Sequence, residues 1–189
     1  MAGTLEVYVG GMYAEKSTNL IRQGKRHLYA NRKVVFLKPF IDNRYKKESV
    51  CTHSGTDIEA FNVLFDYEFN YVTDFTKWLE VKDAEVICID EIQFFPEKMI
   101  ERIEKLIYEG KKIYVAGLDL DRYGKPFGIV PYLMAKAEVV KKFNAVCVEC
   151  GADAWVTVGT DEIKNDNQVN VGNDYKPLCR SCAEKVGVK

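Results

Sequence analysis

The stretch LEVYVGGMYAEKST, residues 5–18, places a short apolar strand directly before a glycine turn and the start of a helix. A phosphate-binding loop has this order. It also needs a lysine that reaches the phosphates, a hydroxyl for Mg²⁺ and a helix N-terminus that attracts anions. Lys16 and Ser17 stand at the required spacings after Gly10. The stretch therefore predicts a phosphate-binding loop at the carboxyl end of a first strand.

Glu15 occupies the place of the second glycine of this pattern. If the backbone is left-handed there, a residue with a side chain costs about 1–2 kcal/mol. A carboxylate beside a polyphosphate is also repulsive unless it points away from the phosphates. The alternative interpretation is an acid that interacts favourably with the positive end of the helix dipole.

Further apolar runs predict the rest of an α/β fold. Buried strands are expected at residues 34–37, 86–89 and 113–116, and helices at 17–31 and from Pro96 to about Tyr108. Residues 40–57 are polar and glycine-containing, and are predicted as a long loop. Strands that alternate with helices form a parallel sheet through right-handed crossovers. We therefore expect a parallel sheet flanked by helices.

A pair of acids follows the strand at residues 86–89. The carboxyl end of a buried strand beside a phosphate loop is a position for a carboxylate directed at Mg²⁺. Neighbouring residues at a strand end point in opposite directions, so Asp90 can serve the metal while Glu91 faces a nucleophile as a general base. The alternative is a strand-end turn with two solvated acids.

Four of the six cysteines form two CxxC pairs, Cys147 with Cys150 and Cys179 with Cys182, separated by residues 151–178. Four thiolates at this spacing can hold one tetrahedral Zn²⁺. The alternative is unliganded thiols or two local disulfides. Near residue 143 the helical periodicity disappears and Gly, Asn and Asp become frequent. We therefore expect a nucleotide-binding domain at 1–142 and a small zinc-binding domain at 143–189. Cys88 is expected in the core.

Length and charge narrow the classes of protein. The 189 residues carry 27 Lys and Arg against 28 Asp and Glu, so no overall positive field exists to hold a nucleic acid or an anionic membrane. No apolar run is long enough to span a bilayer, and the first residues do not resemble a secretion signal. We expect a cytoplasmic protein that has no nucleic-acid or membrane partner.

Five motifs occur in order: GGMYAEKST, IDNRY at 41–45, DEIQFF at 90–95, GLDLDRYGKPFG at 117–128, and the CVEC and CRSC pairs. Together they resemble the zinc-containing thymidine kinase family of animals, bacteria and poxviruses. The resemblance implies a P-loop sheet and a zinc domain whose long loop, the lasso, closes over thymidine. It also implies transfer of the ATP γ-phosphoryl group to the 5′-hydroxyl of thymidine, and a homotetramer.

The resemblance also assigns roles, with Glu91 as the catalytic base and structural Zn²⁺ on Cys147, Cys150, Cys179 and Cys182. The resemblance implies that ATP and Mg²⁺ are bound by residues of the phosphate loop, of the segment at 41–45 and of the acidic motif. These residues are Gly10, Gly11, Met12, Tyr13, Ala14, Glu15, Lys16, Ser17, Thr18, Asp42, Arg44, Asp90 and Gln93. The resemblance also implies a thymidine pocket lined by Met12, Phe94, Leu118, Phe127, Thr157, Val171 and Tyr175.

Several positions depart from the family pattern. Besides Glu15, Arg122 stands where a Phe is usual and Gly159 where a basic residue is frequent. The lasso is short between Gly172 and Tyr175, and the run at 53–55 lacks an acid. Two alternatives to an active kinase therefore remain. One is a relative that binds a nucleoside or nucleotide as a regulator, and the other is a P-loop NTPase whose zinc module docks protein or nucleic acid.

Overall fold

The centre of the molecule is a six-stranded sheet in which every strand pairs in parallel with its neighbours. The computed structural model describes residues 2–39, 49–51, 57–63, 81–160 and 175–189. The sheet strands are β1 (Thr4–Val9), β2 (Val34–Pro39), β5 (Phe61–Val63), β6 (Val86–Ile89), β7 (Lys112–Gly117) and β8 (Val139–Lys142). Their spatial order is β5-β2-β6-β7-β1-β8, which confirms the predicted parallel sheet.

Helices cover both faces of this sheet. The helices whose full extent lies within the described residues are α1 (Lys16–Tyr29), α2 (Lys98–Tyr108), α3 (Val130–Lys136) and α4 (Arg180–Lys185), with a 3₁₀ turn at Ile92–Phe94. Alternate strand residues point to opposite faces. Val7 and Val115 accordingly pack in the cluster that contains Ile103 of α2 and Leu133 of α3. The other face of the sheet packs against α1.

That second face is more aromatic. Tyr8, Cys88 and Tyr114 pack with Leu20 and Ile21 of α1. Cys88 is fully buried, as expected for a core cysteine. β6 and β7 are therefore covered on both sides, which explains why their sequences read as continuous apolar runs rather than as alternating ones.

Three expectations about local structure were wrong or incomplete. The region predicted as a loop at 40–57 contains β3 (Ser49–Cys51), which pairs antiparallel with β4 (Asp57–Glu59). Pro96 precedes α2 instead of lying in its first turn, and its carbonyl accepts a hydrogen bond from the Met99 N–H. β8 was not predicted, because its four residues are exposed and carry no buried-strand pattern.

The C-terminal part adds a small antiparallel pair of strands. β9 (Val156–Gly159) pairs with β10 (Tyr175–Leu178), and α4 follows directly. Their apolar side chains form a separate cluster that includes Cys147 and Cys182. The division into domains at residue 143 stays a prediction. Within the described segments, no helix has the length and apolar character that crossing a bilayer requires.

Candidate active site

The carboxyl ends of β1, β6 and β7 lie side by side, with Val9 opposite Gly117 and Ile89 opposite Val115 in the parallel register. Open α/β sheets bind their ligands at this edge. The chain leaves β1 through the phosphate loop (residues 10–18), leaves β6 through Asp90 and Glu91, and leaves β7 through Leu118. Segments far apart in sequence therefore meet at one edge of the sheet.

The phosphate loop turns sharply and runs into the N-terminus of α1. Gly10 has φ 140°, a conformation that side-chain-bearing residues rarely adopt. Lys16 is the first residue of α1 and is buried, and its Nζ donates a 2.6 Å hydrogen bond to the Gly11 carbonyl. The ammonium group is thus held across the loop, close to the helix N-terminus that favours anions.

Glu15 adopts the left-handed conformation that a glycine would take most easily, with φ 55° and ψ 27°. Its side chain is exposed and makes no capping hydrogen bond to α1. Tyr13 is also left-handed, with φ 65°. The missing glycine therefore adds backbone strain to the loop, while the carboxylate is left in the solvent.

Asp90 directly follows β6 and points towards the phosphate loop. It is buried, and one of its carboxylate oxygens accepts a 3.1 Å hydrogen bond from the Ser17 hydroxyl. Burial, followed by the neighbouring Glu91 carboxylate, raises the pKa of Asp90 to about 7. A hydroxyl and a buried carboxylate are oxygen ligands of the kind that Mg²⁺ prefers. The pair therefore fits a divalent cation, whose charge would favour the ionised form of Asp90.

Glu91 is held in a different direction from Asp90. Its backbone is left-handed, with φ 51°, and its side chain is half-buried. Gln93 Nε2 donates a 2.5 Å hydrogen bond to Glu91 Oε2, while Gln93 Oε1 accepts one of 3.0 Å from the Leu118 N–H. Gln93 is itself buried. The amide thus ties the Glu91 carboxylate to the end of β7.

An aromatic pair includes Phe94 of the 3₁₀ turn that follows Glu91. The rings of Phe94 and Phe127 are 5.9 Å apart and meet edge to face at 88°. Phe127 is buried and Phe94 is half-buried. Leu118 precedes the loop that returns to Phe127, whose N–H bonds to the Asp119 carbonyl. The structure therefore brings two of the residues that the resemblance assigned to the nucleoside, Phe94 and Phe127, into contact.

Three other residues assigned to the nucleoside, Met12, Thr157 and Tyr175, lie at or near β9 and β10. Met12 is buried, and its N–H donates a 2.8 Å hydrogen bond to Thr157 Oγ1 on β9. Tyr175 begins β10 opposite Gly159. Asp42, Arg44 and Val171 lie outside the described residues.

The four cysteines of the two CxxC pairs converge. Their sulfur atoms all lie within 4.8 Å of one another, and Cys150 Sγ is 3.6 Å from Cys179 Sγ. Four thiolates bound to zinc at about 2.3 Å in a tetrahedron lie about 3.8 Å apart, so the spacing fits the ion. None of the four is in a disulfide. The cluster is therefore compatible with a structural zinc site.

The pKa values of two of these thiols are shifted in opposite directions. Backbone hydrogen bonds, first from Cys179, lower the pKa of Cys147 to about 6. The hydrogen bond with Cys179, followed by burial, raises the pKa of Cys182 to about 12. Neighbouring thiolates repel one another, and Zn²⁺ removes that conflict because it binds the deprotonated form of each.

Comparison with known protein families shows to which family the chain belongs. A family model described as Thymidine kinase matches residues 3–183 of the 189-residue chain. The chain belongs to the thymidine kinase family. This confirms the resemblance drawn from the motifs and supports thymidine kinase function in general. The match extends over both the parallel sheet and the cysteine cluster.

Two features of this thymidine kinase family member were not visible in its sequence. The first is the position of Gln93 between Glu91 and Leu118. The DEIQFF motif includes Gln93 but does not indicate these partners. The second is Arg122, whose Nη1 is buried without a hydrogen bond among the described residues and whose guanidinium lies 5.0 Å from the centre of the Tyr123 ring. Periodicity and motif spacing carry no signal for either contact.

Proposed function

We propose that this protein is an ATP-dependent thymidine kinase that transfers the γ-phosphoryl group of ATP to the 5′-hydroxyl of thymidine. The observation that carries the proposal is the pairing at the end of β6. Asp90 bonds to Ser17 of the phosphate loop, while the adjacent Glu91 is held in another direction by Gln93. Two neighbouring acids are thereby available for two different tasks.

The phosphate loop and Lys16 bind the triphosphate in this proposal. Lys16 Nζ already lies against the loop backbone and supplies positive charge where the phosphates would gather. Ser17 and Asp90 would hold Mg²⁺, which when bound neutralises phosphate charge. Phosphoryl transfer is accelerated mainly by positioning and by charge neutralisation, so these residues account for much of what the reaction needs. Asp42 and Arg44 are proposed to assist from the segment at 41–45.

Glu91 is the proposed general base. It accepts the proton of the 5′-hydroxyl as the oxygen attacks the γ-phosphorus, and the hydrogen bond from Gln93 fixes its orientation. The nucleoside would lie against Phe94 and Phe127, with Met12, Leu118, Thr157, Val171 and Tyr175 completing its pocket. Apolar walls of this kind exclude water and favour a flat base with a methyl group.

The proposal also includes the wider organisation. We propose a nucleotide-binding domain at 1–142 and a zinc-binding domain at 143–189 with structural Zn²⁺ on the cysteine cluster. The homotetramer, the cytoplasmic location and the lack of a nucleic-acid partner stay predictions.

A coupled assay with ATP, Mg²⁺ and thymidine tests the activity, with deoxyuridine and deoxycytidine in parallel. Replacing Glu91→Gln keeps the size and the hydrogen-bonding edge of the side chain but removes its basicity. We expect turnover to fall by about two orders of magnitude or more, with thymidine affinity near that of the wild type. Glu101→Gln, an exposed change on α2, is the matched control and should leave turnover unchanged.

The result discriminates between the functions left open by the sequence. Wild-type turnover in Glu91→Gln would refute the assignment of the base. Tight binding of thymidine and ATP by the wild type without any product would favour the regulatory alternative instead.

A further inference from the structure

The C-terminal part of the chain, from Phe143 onwards, contacts the phosphate loop at Gly10 and Gly11. A Cβ atom on Gly10 would lie 2.0 Å from the Phe143 carbonyl oxygen. A Cβ atom on Gly11 would lie 2.6 Å from Thr157 Oγ1. Such distances are far below ordinary contact, so neither glycine could carry a side chain unless the loop or its neighbour shifted.

A buried hydrogen bond joins the two at this place. The Met12 N–H donates to Thr157 Oγ1 at 2.8 Å, across 145 positions of sequence, and both residues are buried. Ala14, two residues further along the loop, packs in a small cluster with Ala145 and Ala154. The loop therefore has contacts with the C-terminal part between Gly10 and Ala14.

The loop needs such an external restraint. Two of its residues with side chains, Tyr13 and Glu15, are left-handed, a conformation that is sterically unfavourable for L-residues. A strained backbone persists only where the surrounding structure holds it. The N–H groups of a phosphate loop bind phosphate only when they keep a fixed orientation.

We propose that Thr157 is a positioning residue for the nucleotide, acting through the Met12 N–H on the phosphate loop. This inference rests on the proposed function, and it adds a role to a residue assigned only to the thymidine pocket. Thr157 lies on β9, opposite Pro177 of β10, and thus reaches the loop from a different part of the chain. Its hydroxyl links the proposed nucleoside pocket to the phosphate site.

The first test compares Thr157→Val with Thr157→Ser. Valine has nearly the shape of threonine but offers no acceptor, whereas serine keeps the hydroxyl. Binding of MgADP, and of a non-hydrolysable ATP analogue, is measured by calorimetry without nucleoside. We expect Thr157→Val to weaken nucleotide binding at least about fivefold, the effect of leaving a buried N–H without its acceptor. Thr157→Ser should stay within about twofold of the wild type.

A residue that only lined the nucleoside pocket would give a different result. Thr157→Val would then alter the KM for thymidine and leave nucleotide affinity unchanged, which would overturn the inference. Failure of the wild type to bind nucleotide at all would instead refute the proposed function. The two failures are therefore distinguishable in the same set of titrations.

A double-mutant cycle with Gly11→Ala covers the case in which Thr157→Val does not fold. Alanine at position 11 brings a methyl group against Thr157 Oγ1, so it should weaken nucleotide binding when threonine is present. In the Thr157→Ala background the hydroxyl is gone, and the same change should cost at least about threefold less, because contacting residues are not additive. Equal losses in both backgrounds would overturn the inference.

Discussion

Replacing Glu15 by glycine should stabilise the protein, because this residue is held in a left-handed conformation at φ 55° and ψ 27°. Relief of that conformation is worth about 1–2 kcal/mol. Glycine also gives the unfolded chain more freedom, which offsets about 0.4–1 kcal/mol of the gain. The net expectation is a rise of about 0.5–1 kcal/mol in the free energy of unfolding.

Glu15→Ala is the matched control for this change. It removes the same exposed carboxylate, which makes no capping hydrogen bond, but it keeps the Cβ atom responsible for the strain. Glycine is also tolerated better than alanine at a helix N-cap. Glu15→Gly should therefore exceed Glu15→Ala by about 1 kcal/mol, a difference of about 2–4 °C in Tm for a chain of this size.

Equilibrium unfolding in urea, followed by far-UV circular dichroism, measures the difference between the two variants. A glycine variant no more stable than the alanine variant would refute the strain argument. Glu15→Gln separates charge from conformation: because the side chain is exposed, screening limits the effect on ATP affinity to about fivefold or less. A larger gain in affinity would show that the carboxylate faces the phosphates.

Two further predictions concern the acid and the cysteines. The raised pKa of Asp90 means that the folded state holds its proton more tightly than the unfolded chain does. Without added Mg²⁺, the wild type should therefore lose stability relative to Asp90→Asn as pH rises from about 4 to 7. Urea unfolding between pH 5 and 8 checks this, and a gain of wild type over the variant would contradict it. Cys182→Ser should lower the zinc content measured by mass spectrometry well below about one ion per chain, and it should weaken thymidine binding. Cys88→Ala is the control and should retain zinc, because Cys88 lies in the main sheet. Full zinc content in Cys182→Ser would exclude that thiol as a ligand.

Local sequence patterns were sufficient for the elements that depend on local physics. Continuous apolar runs identified β6 and β7 because both faces of those strands are buried. The spacing of the two CxxC pairs indicated a metal cluster because each pair brings two thiols together within one turn. The order of Gly10, Lys16 and Ser17 predicted a loop between a strand and a helix, and this segment does lie between β1 and α1.

Patterns failed where a structure depends on partners that are distant in sequence. β8 has four exposed residues, and among the described strands it pairs with β1 alone. The antiparallel pair of β3 and β4 lies in a region whose polar composition indicated a loop. Pro96 suits the first turn of a helix, yet α2 begins after it.

The amino-acid sequence was enough to predict an α/β parallel sheet, a glycine turn between the first strand and the first helix, a pair of acids and four cysteines at metal-binding spacing, since each follows from composition and short spacing. Folding of the whole chain decided the rest: Gln93 reaching Glu91 and Leu118, and Thr157 reaching the Met12 N–H. Hydrogen-bond partners of this kind are selected by the packing of strands and loops in three dimensions. Hydrophobic periodicity records which face of an element is buried, but it does not record which distant residue covers that face.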